Sequence, residues 1–126
     1  MTSISLPAPD EAVADLLRDA RTWIVVGLGQ NPSRAAFRVS RLLQDKGRRI
    51  VPVHPRGLEV HGEAGFTSVT AAVASLRAEG VEPDVVDCFV NSSRVGAVID
   101  EAVSLGVPAV WLQLDIDDPD AVARAR

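Results

Sequence analysis

The chain has 126 residues, which at roughly 100–200 residues per domain is expected to form one domain spanning 1–126. Thirteen Lys and Arg stand against 17 Asp and Glu, a formal charge of −4, and 47% of residues are hydrophobic, so the chain is neither disordered nor disulfide-stapled. The acidic balance, with three Phe, two Trp and no Tyr, argues against a nucleic-acid partner. The longest apolar run, from Trp23 to Leu28, is far short of the ~20 residues of a membrane span, which argues against a membrane partner. The start MTSISLPAPDEAV lacks the basic and apolar regions of a secretory signal, and a lone Cys88 fits a reducing compartment, so a cytoplasmic location is expected.

Taken in chain order, helical and strand patterns alternate. Residues 9–20 read as a helix, with Pro9 in its first turn, Asp10 and Glu11 at its positive end, and Val13, Leu16, Leu17 and Ala20 on one face. Trp23, Ile24, Val25 and Val26 form an unbroken apolar run closed by Gly27, the pattern of a parallel strand buried on both faces. Asn31, Pro32 and Ser33 are expected to cap and open a second helix, which carries Ala36, Val39 and Leu43 at helical spacing and stops at Gly47.

Residues 49–53 (RIVPV) make the second strand, with Pro52 confined near its end because it has no ladder donor. A glycine-rich loop over 54–66 leads to a third helix over 68–79, ended by Gly80. A strand over 84–90 (DVVDCFV), a helix over 93–105 and a strand over 109–114 (AVWLQL) follow, and Asp118 and Pro119 open a last helix cut short by the chain end. Strands joined by helices imply right-handed crossovers, so the expected fold class is α/β: a doubly wound, Rossmann-like parallel sheet with helices on both faces.

In such a sheet, ligands bind beyond the carboxyl ends of the strands, where strand order reverses. The candidate tips are Gly27, Leu28, Gly29, Gln30, Asn31, Pro32, Ser33 and Arg34 after the first strand, and Val53, His54, Pro55 and Arg56 after the second. Phe89, Val90, Asn91 and Ser92 follow the third strand, and Gln113 begins the tip of the fourth. Gly27 and Gly29 permit a tight turn and close backbone approach, and the helix that follows points free N–H groups at a phosphate, with a Ser33 hydroxyl and an Arg34 fork beside it. The pattern is GxGxxP rather than the dinucleotide fingerprint GxGxxG, and its weight comes from its place between strand and helix.

The second tip discriminates between nucleotides. A NAD site sets an Asp or Glu there to hold the ribose hydroxyls, whereas this chain reads Val53-His54-Pro55-Arg56; Asp45 lies too early, in the preceding helix. A phosphorylated ribose paired with Arg56, Arg48 or Arg49 points to NADP or coenzyme A. Charge agrees: residues 21–56 hold eight basic side chains against Asp45 alone, whereas residues 57–126 hold four against twelve acidic ones. Arg38 and Arg41 read as a solvated helix face.

Catalytic chemistry has little to stand on. His61 is expected exposed in its glycine-rich loop, His54 has no acid placed by sequence to orient it, and Cys88 reads as a buried, inert thiol within a strand. Asp84 and Asp87 are expected to be structural, at a solvated strand start, and one Cys with two His makes no metal spacing.

The runs WIVVGLGQNPSRAAFRVSRLLQDKGRRIVPVHP, GLEVHGEAGFTSV, PDVVDCFV and AVIDEAVSLGVPAVWLQL resemble the small bacterial CoA-binding proteins, which are similar to the N-terminal CoA-binding domain of the succinyl-CoA synthetase alpha subunit. The resemblance covers about residues 14–126. It implies a Rossmann-like fold that binds coenzyme A or an acyl-CoA, with residues 27–34 at the phosphates, Val53, His54 and Pro55 beside the adenosine, and Phe89, Val90 and Gln113 along the remaining edge.

This chain departs from the family in placing His54 where asparagine is usual, in lacking an arginine pair after the third strand, and in stopping before a further strand. The synthetase's phosphorylated histidine belongs to another domain, so binding without catalysis is implied. A monomer or weak homodimer is expected, with apolar surface left by the short C-terminus favouring a dimer. The alternative is an NADP-binding subunit or fragment of a reductase.

Overall fold

The computed structural model describes residues 3–5, 19–90 and 92–112. The expected helix over 9–20, apart from its last two residues, and the expected last helix from Asp118 lie outside the described residues, as do Asn91 and Gln113. Five strands form one sheet: β1 (Ser3–Ser5), β2 (Thr22–Val26), β3 (Arg49–Val53), β4 (Val85–Cys88) and β5 (Ala109–Leu112). The helices between them are α1 (Ala35–Asp45), α2 (Val69–Ala78) and α3 (Ser92–Ser104).

The strand order is β1-β5-β4-β2-β3 and every pairing is parallel. From β2 the chain crosses through α1 to β3 on one side, then returns through α2 to β4 on the other, so strand order reverses at β2. This is the expected doubly wound sheet.

Side-chain alternation explains the unbroken apolar runs. Ile24, Val26, Val51, Val53, Val86, Cys88 and Val110 join one core cluster with Val69, Ala72, Val73 and Leu76 of α2 and Ala102 of α3. Trp23, Val25, Ile50, Val85 and Ala109 join the other, with Ala36 and Leu43 of α1. Both faces of the sheet are therefore covered, and strand residues of either parity must be apolar. Pro52 sits on the edge strand with its nitrogen turned away from β2: its carbonyl, on that same outer side, accepts from Phe66 N at 2.9 Å. No ladder bond is lost.

The element ends differ from expectation in informative ways. Asn31 Oδ1 accepts from both the backbone N (3.0 Å) and Oγ (2.8 Å) of Ser33, folding a side-chain turn that delays the helix to Ala35 and makes Arg34 its N-cap. The third expected strand begins one residue late, at Val85: Asp84 N donates to Thr22 O at 3.0 Å, and the Asp84 carboxylate accepts from Arg21 N (2.9 Å) and Thr22 N (3.0 Å). Asp87 is not at a solvated strand start: it is wholly buried inside β4. The strand β1 was not anticipated, since three residues reading Ser-Ile-Ser carry too short a pattern.

Asp84 thus ties the start of β4 to the start of β2. Asp84→Ala is expected to cost about 1–3 kcal/mol, because it leaves two strand-start N–H groups without their charged acceptor; urea denaturation measures it, and an unchanged midpoint contradicts the role.

Candidate functional site

Three strand tips meet where strand order reverses. The chain leaves β2 through Gly27 at φ 92°, a left-handed conformation that side chains with a Cβ rarely adopt. Gly27 N donates to Val53 O at 2.8 Å and Phe89 N donates to Val26 O at 2.8 Å, so the first tip is bonded to the second and third. A Cβ on Gly27 would lie 2.6 Å from the Phe89 carbonyl oxygen, closer than real contacts allow. Gly29, two residues on, faces the His54 ring, whose Cδ2 and Nε2 would be 3.4 and 3.5 Å from an added Cβ.

The expected site residues divide by what their side chains do. Leu28 is fully buried and Val53 is 4% exposed; both side chains belong to the core, and only their backbones belong to the tips. Asn31, Pro32, Ser33, Arg34, Pro55 and Arg56 are exposed, while His54, Phe89 and Val90 are half-buried. Ser33 spends its hydroxyl proton on Asn31, which leaves it an acceptor at this tip rather than the donor expected. His54 Nδ1 accepts from Arg56 N at 3.2 Å, so the ring proton sits on Nε2, the nitrogen nearer Gly29.

The helix beyond the glycines presents an open positive end. Arg34, the N-cap of α1, makes no side-chain capping bond, and no acidic residue stands in the first turn. By contrast, α2 is closed by Ser68 Oγ, which accepts from Ala71 N at 3.0 Å, and by Glu101, which takes Thr70 N at 2.8 Å. Uncapped first-turn N–H groups with the helix dipole behind them suit an anion. Arg38 is exposed, as expected of a solvated helix face, and its Nη1 donates to Ser33 O at 2.7 Å, adding positive charge beside that turn.

Two expected contributors are elsewhere. Arg49 begins β3, at the opposite end of the sheet from the tips, and forks onto Glu79 at 2.9 and 3.1 Å. Arg48 donates to Lys46 O at 3.2 Å. Of the arginines considered for a ribose phosphate, Arg56 alone stands at a tip. A cleft of about 100 Å³ lies near that far end, lined by Arg49, Glu63, Phe66, Ser75, Leu76 and Glu79; its main charges already satisfy each other, so it has less to offer a ligand than the tips.

The remaining titratable candidates are engaged or buried. His61 is half-buried rather than exposed and bonds to Phe37 O at 2.9 Å. Burial pushes the Cys88 thiol up from 9.0 to about 11, with the Asp87 charge adding to the effect. Among the described residues no cluster of His, Cys, Asp and Glu could hold a metal ion, and no helix is long and apolar enough to cross a membrane.

Comparison with known proteins follows the same lines. The family model described as a CoA binding domain matches residues 21–126. The uncharacterized protein YneT of Bacillus subtilis (strain 168) is 29% identical over 109 residues, covering 86% of this chain and 76% of YneT. The solved PH1109 protein redesigned for binding is 27% identical with a TM-score of 0.74, covering 93% of this chain and 78% of that one. RSP, a Rex-family repressor solved in complex with beta-NADH, is 17% identical with a TM-score of 0.51 over 89% of this chain and 57% of that one, a likeness of fold alone.

The buried thiol gives a pH-dependent prediction. Its folded pKa of about 11 exceeds the unfolded value, so the unfolded state loses its proton first and stability falls as pH rises through that interval. Wild type should lose more stability than Cys88→Ala between pH 9 and 11, and Cys88 should resist a thiol reagent at pH 8 until the protein unfolds. Rapid native labelling contradicts this.

Proposed function

Because the chain belongs to the CoA-binding domain family, we propose that it binds coenzyme A or an acyl-CoA with the ligand's phosphates on the glycine loop and the first turn of α1, and performs no catalysis of its own. The observation that carries this reading is the uncapped start of α1, one short turn beyond Gly27 and Gly29. Arg34 supplies a charged fork at the same turn, and the His54 Nε2–H is a donor beside Gly29. Adenosine is assigned to the Val53–His54–Pro55 tip, with Arg56 next to the ribose. Phe89 and Val90 line the adjoining edge.

The absence of catalysis is proposed on the state of the nucleophile and bases. Cys88 is buried with its thiol pushed up to about 11, and the described ring-nitrogen bonds of both histidines are to backbone groups. The protein is accordingly read as a cytoplasmic bacterial carrier or sensor, a monomer or weak homodimer with a small-molecule partner. The second reading is an NADP-binding subunit or fragment of a reductase. Its support is that the glycine loop suits any pyrophosphate and that the second tip carries Arg56 in place of a carboxylate.

Thermal unfolding with CoA, acetyl-CoA, NADPH and NAD separates the two, since a ligand that binds only the folded state adds about 2.7 kcal/mol at a hundredfold excess over its Kd. Stabilisation by the CoA species alone is expected; stabilisation by NADPH alone selects the second reading, and none from any of the four contradicts both. Gly29→Val should remain folded and bind CoA at least about tenfold more weakly, because the branched side chain meets the His54 ring and displaces the Nε2–H donor beside the loop. Arg34→Ala should weaken CoA binding about three- to tenfold at low salt, and the difference should shrink as salt rises. A salt-independent loss contradicts a phosphate contact for Arg34.

A further inference from the structure

The loop between β3 and α2 folds back across the binding loop and α1. Its ends are closed by His54 N to Phe66 O at 3.0 Å and Phe66 N to Pro52 O at 2.9 Å. Within it, Val60 and Glu63 exchange backbone bonds of 3.0 and 2.9 Å around His61 and Gly62, both at positive φ (55° and 82°). That is a primed hairpin turn, and at its first central position a histidine stands in a left-handed conformation that glycine or asparagine adopts at lower cost. Val60, 2% exposed, anchors the turn in the core cluster on the α1 side of the sheet.

The histidine makes three contacts to one helix. Its Nε2 meets the carbonyl of Phe37 at 2.9 Å, and since a carbonyl only accepts, Nε2 carries the proton. Its ring lies against the Phe37 ring, centroids 4.3 Å apart. Its own carbonyl accepts from Gln44 Nε2 at 3.2 Å. Phe37 is in the first turn of α1 and Gln44 is two turns on, so the contacts fix the direction of the helix rather than a single point. Two residues earlier, Glu59 O accepts from Gln30 Nε2 at 2.7 Å, so the same strap also grips the glycine loop.

We infer that His61 is a positioning residue for ligand binding: through Phe37 and Gln44 it sets α1 so that the first-turn N–H groups and the glycine loop face one phosphate position. It acts through the helix and touches no ligand. The inference rests on the proposed placement of the ligand's phosphates, and it gives a role to a histidine that stands at a strained backbone position.

The test uses the full chain as wild type, His61→Asn and His61→Gln, each first checked for folding by circular dichroism and then titrated with CoA by calorimetry. Asn tolerates the left-handed backbone but is too short to reach the Phe37 carbonyl, whereas Gln carries an N–H at nearly the reach of Nε2. His61→Asn is expected to bind CoA about five- to tenfold more weakly, the scale of one lost hydrogen bond, with His61→Gln recovering most of the loss.

Amide hydrogen exchange at residues 38–45, whose N–H groups are bonded along α1, measured without ligand, should be faster in His61→Asn and slower again in His61→Gln. Wild-type affinity and exchange in a folded His61→Asn overturn the inference, as does a loss that Gln does not rescue. If His61→Asn fails to fold, Gln44→Ala carries the same expectation, and unchanged affinity and exchange in that variant overturn it. If wild type binds no CoA, the ligand reading falls, and exchange at 38–45 alone decides whether His61 sets the helix.

Discussion

The turn at Gly27 is the constraint on which the rest of the site depends. The chain must leave β2 at the place where strand order reverses, with β3 on one side and β4 on the other. It does so by a left-handed residue whose N–H is held by Val53 O and whose α-carbon lies against the Phe89 carbonyl. Any Cβ there must push the third tip away, which makes the position one for glycine on both conformational and steric grounds. With the turn in place, Leu28 drops into the core and Gly29 comes to rest beside His54. A fully buried leucine between two glycines holds the loop against the sheet.

Electrostatics then selects what the loop can hold. The unclosed end of α1 and the Arg34 and Arg38 side chains concentrate positive charge at one tip of a protein whose net charge is −4. The contrast with α2 is instructive, because there Ser68 and Glu101 already take the Thr70 and Ala71 N–H groups and a carboxylate sits at the positive end of the helix. At the other end of the sheet, Arg49 and Glu79 neutralise each other: the guanidinium fork holds the Glu79 carboxyl below its ordinary range. Local positive charge is therefore useful to a ligand only where no carboxylate has claimed it.

Much of this was legible in the sequence, and the failures have identifiable causes. The strand over residues 49–53 and the helices bounded by Gly47 and Gly80 follow from apolar runs and helix-ending glycines, which act locally. The glycine loop was also legible, because its residues lie next to one another in the chain.

What escaped depends on contacts between distant segments. His61 reads as an exposed loop residue until the loop is seen to fold back on α1, 24 residues earlier in the chain, to reach Phe37. Arg48 and Arg49 carry the charge for a phosphate, but a five-residue strand separates them from the tip. Asn31 and Ser33 are both good helix caps in isolation, and they bond each other instead. A His-Gly pair bounded by Val60 and Glu63 is the sequence trace of that hairpin turn.

The central claim, that the ligand's phosphates sit on the glycine loop and the first turn of α1, is tested most directly by mapping backbone amide chemical shifts of the labelled protein on addition of CoA. The account predicts that the largest changes fall on residues 27–36, with a second group at 54–57, and that Glu63, Ser75 and Glu79 stay unmoved. Changes clustered around the Arg49–Glu79 cleft, with the glycine loop unaffected, would contradict it.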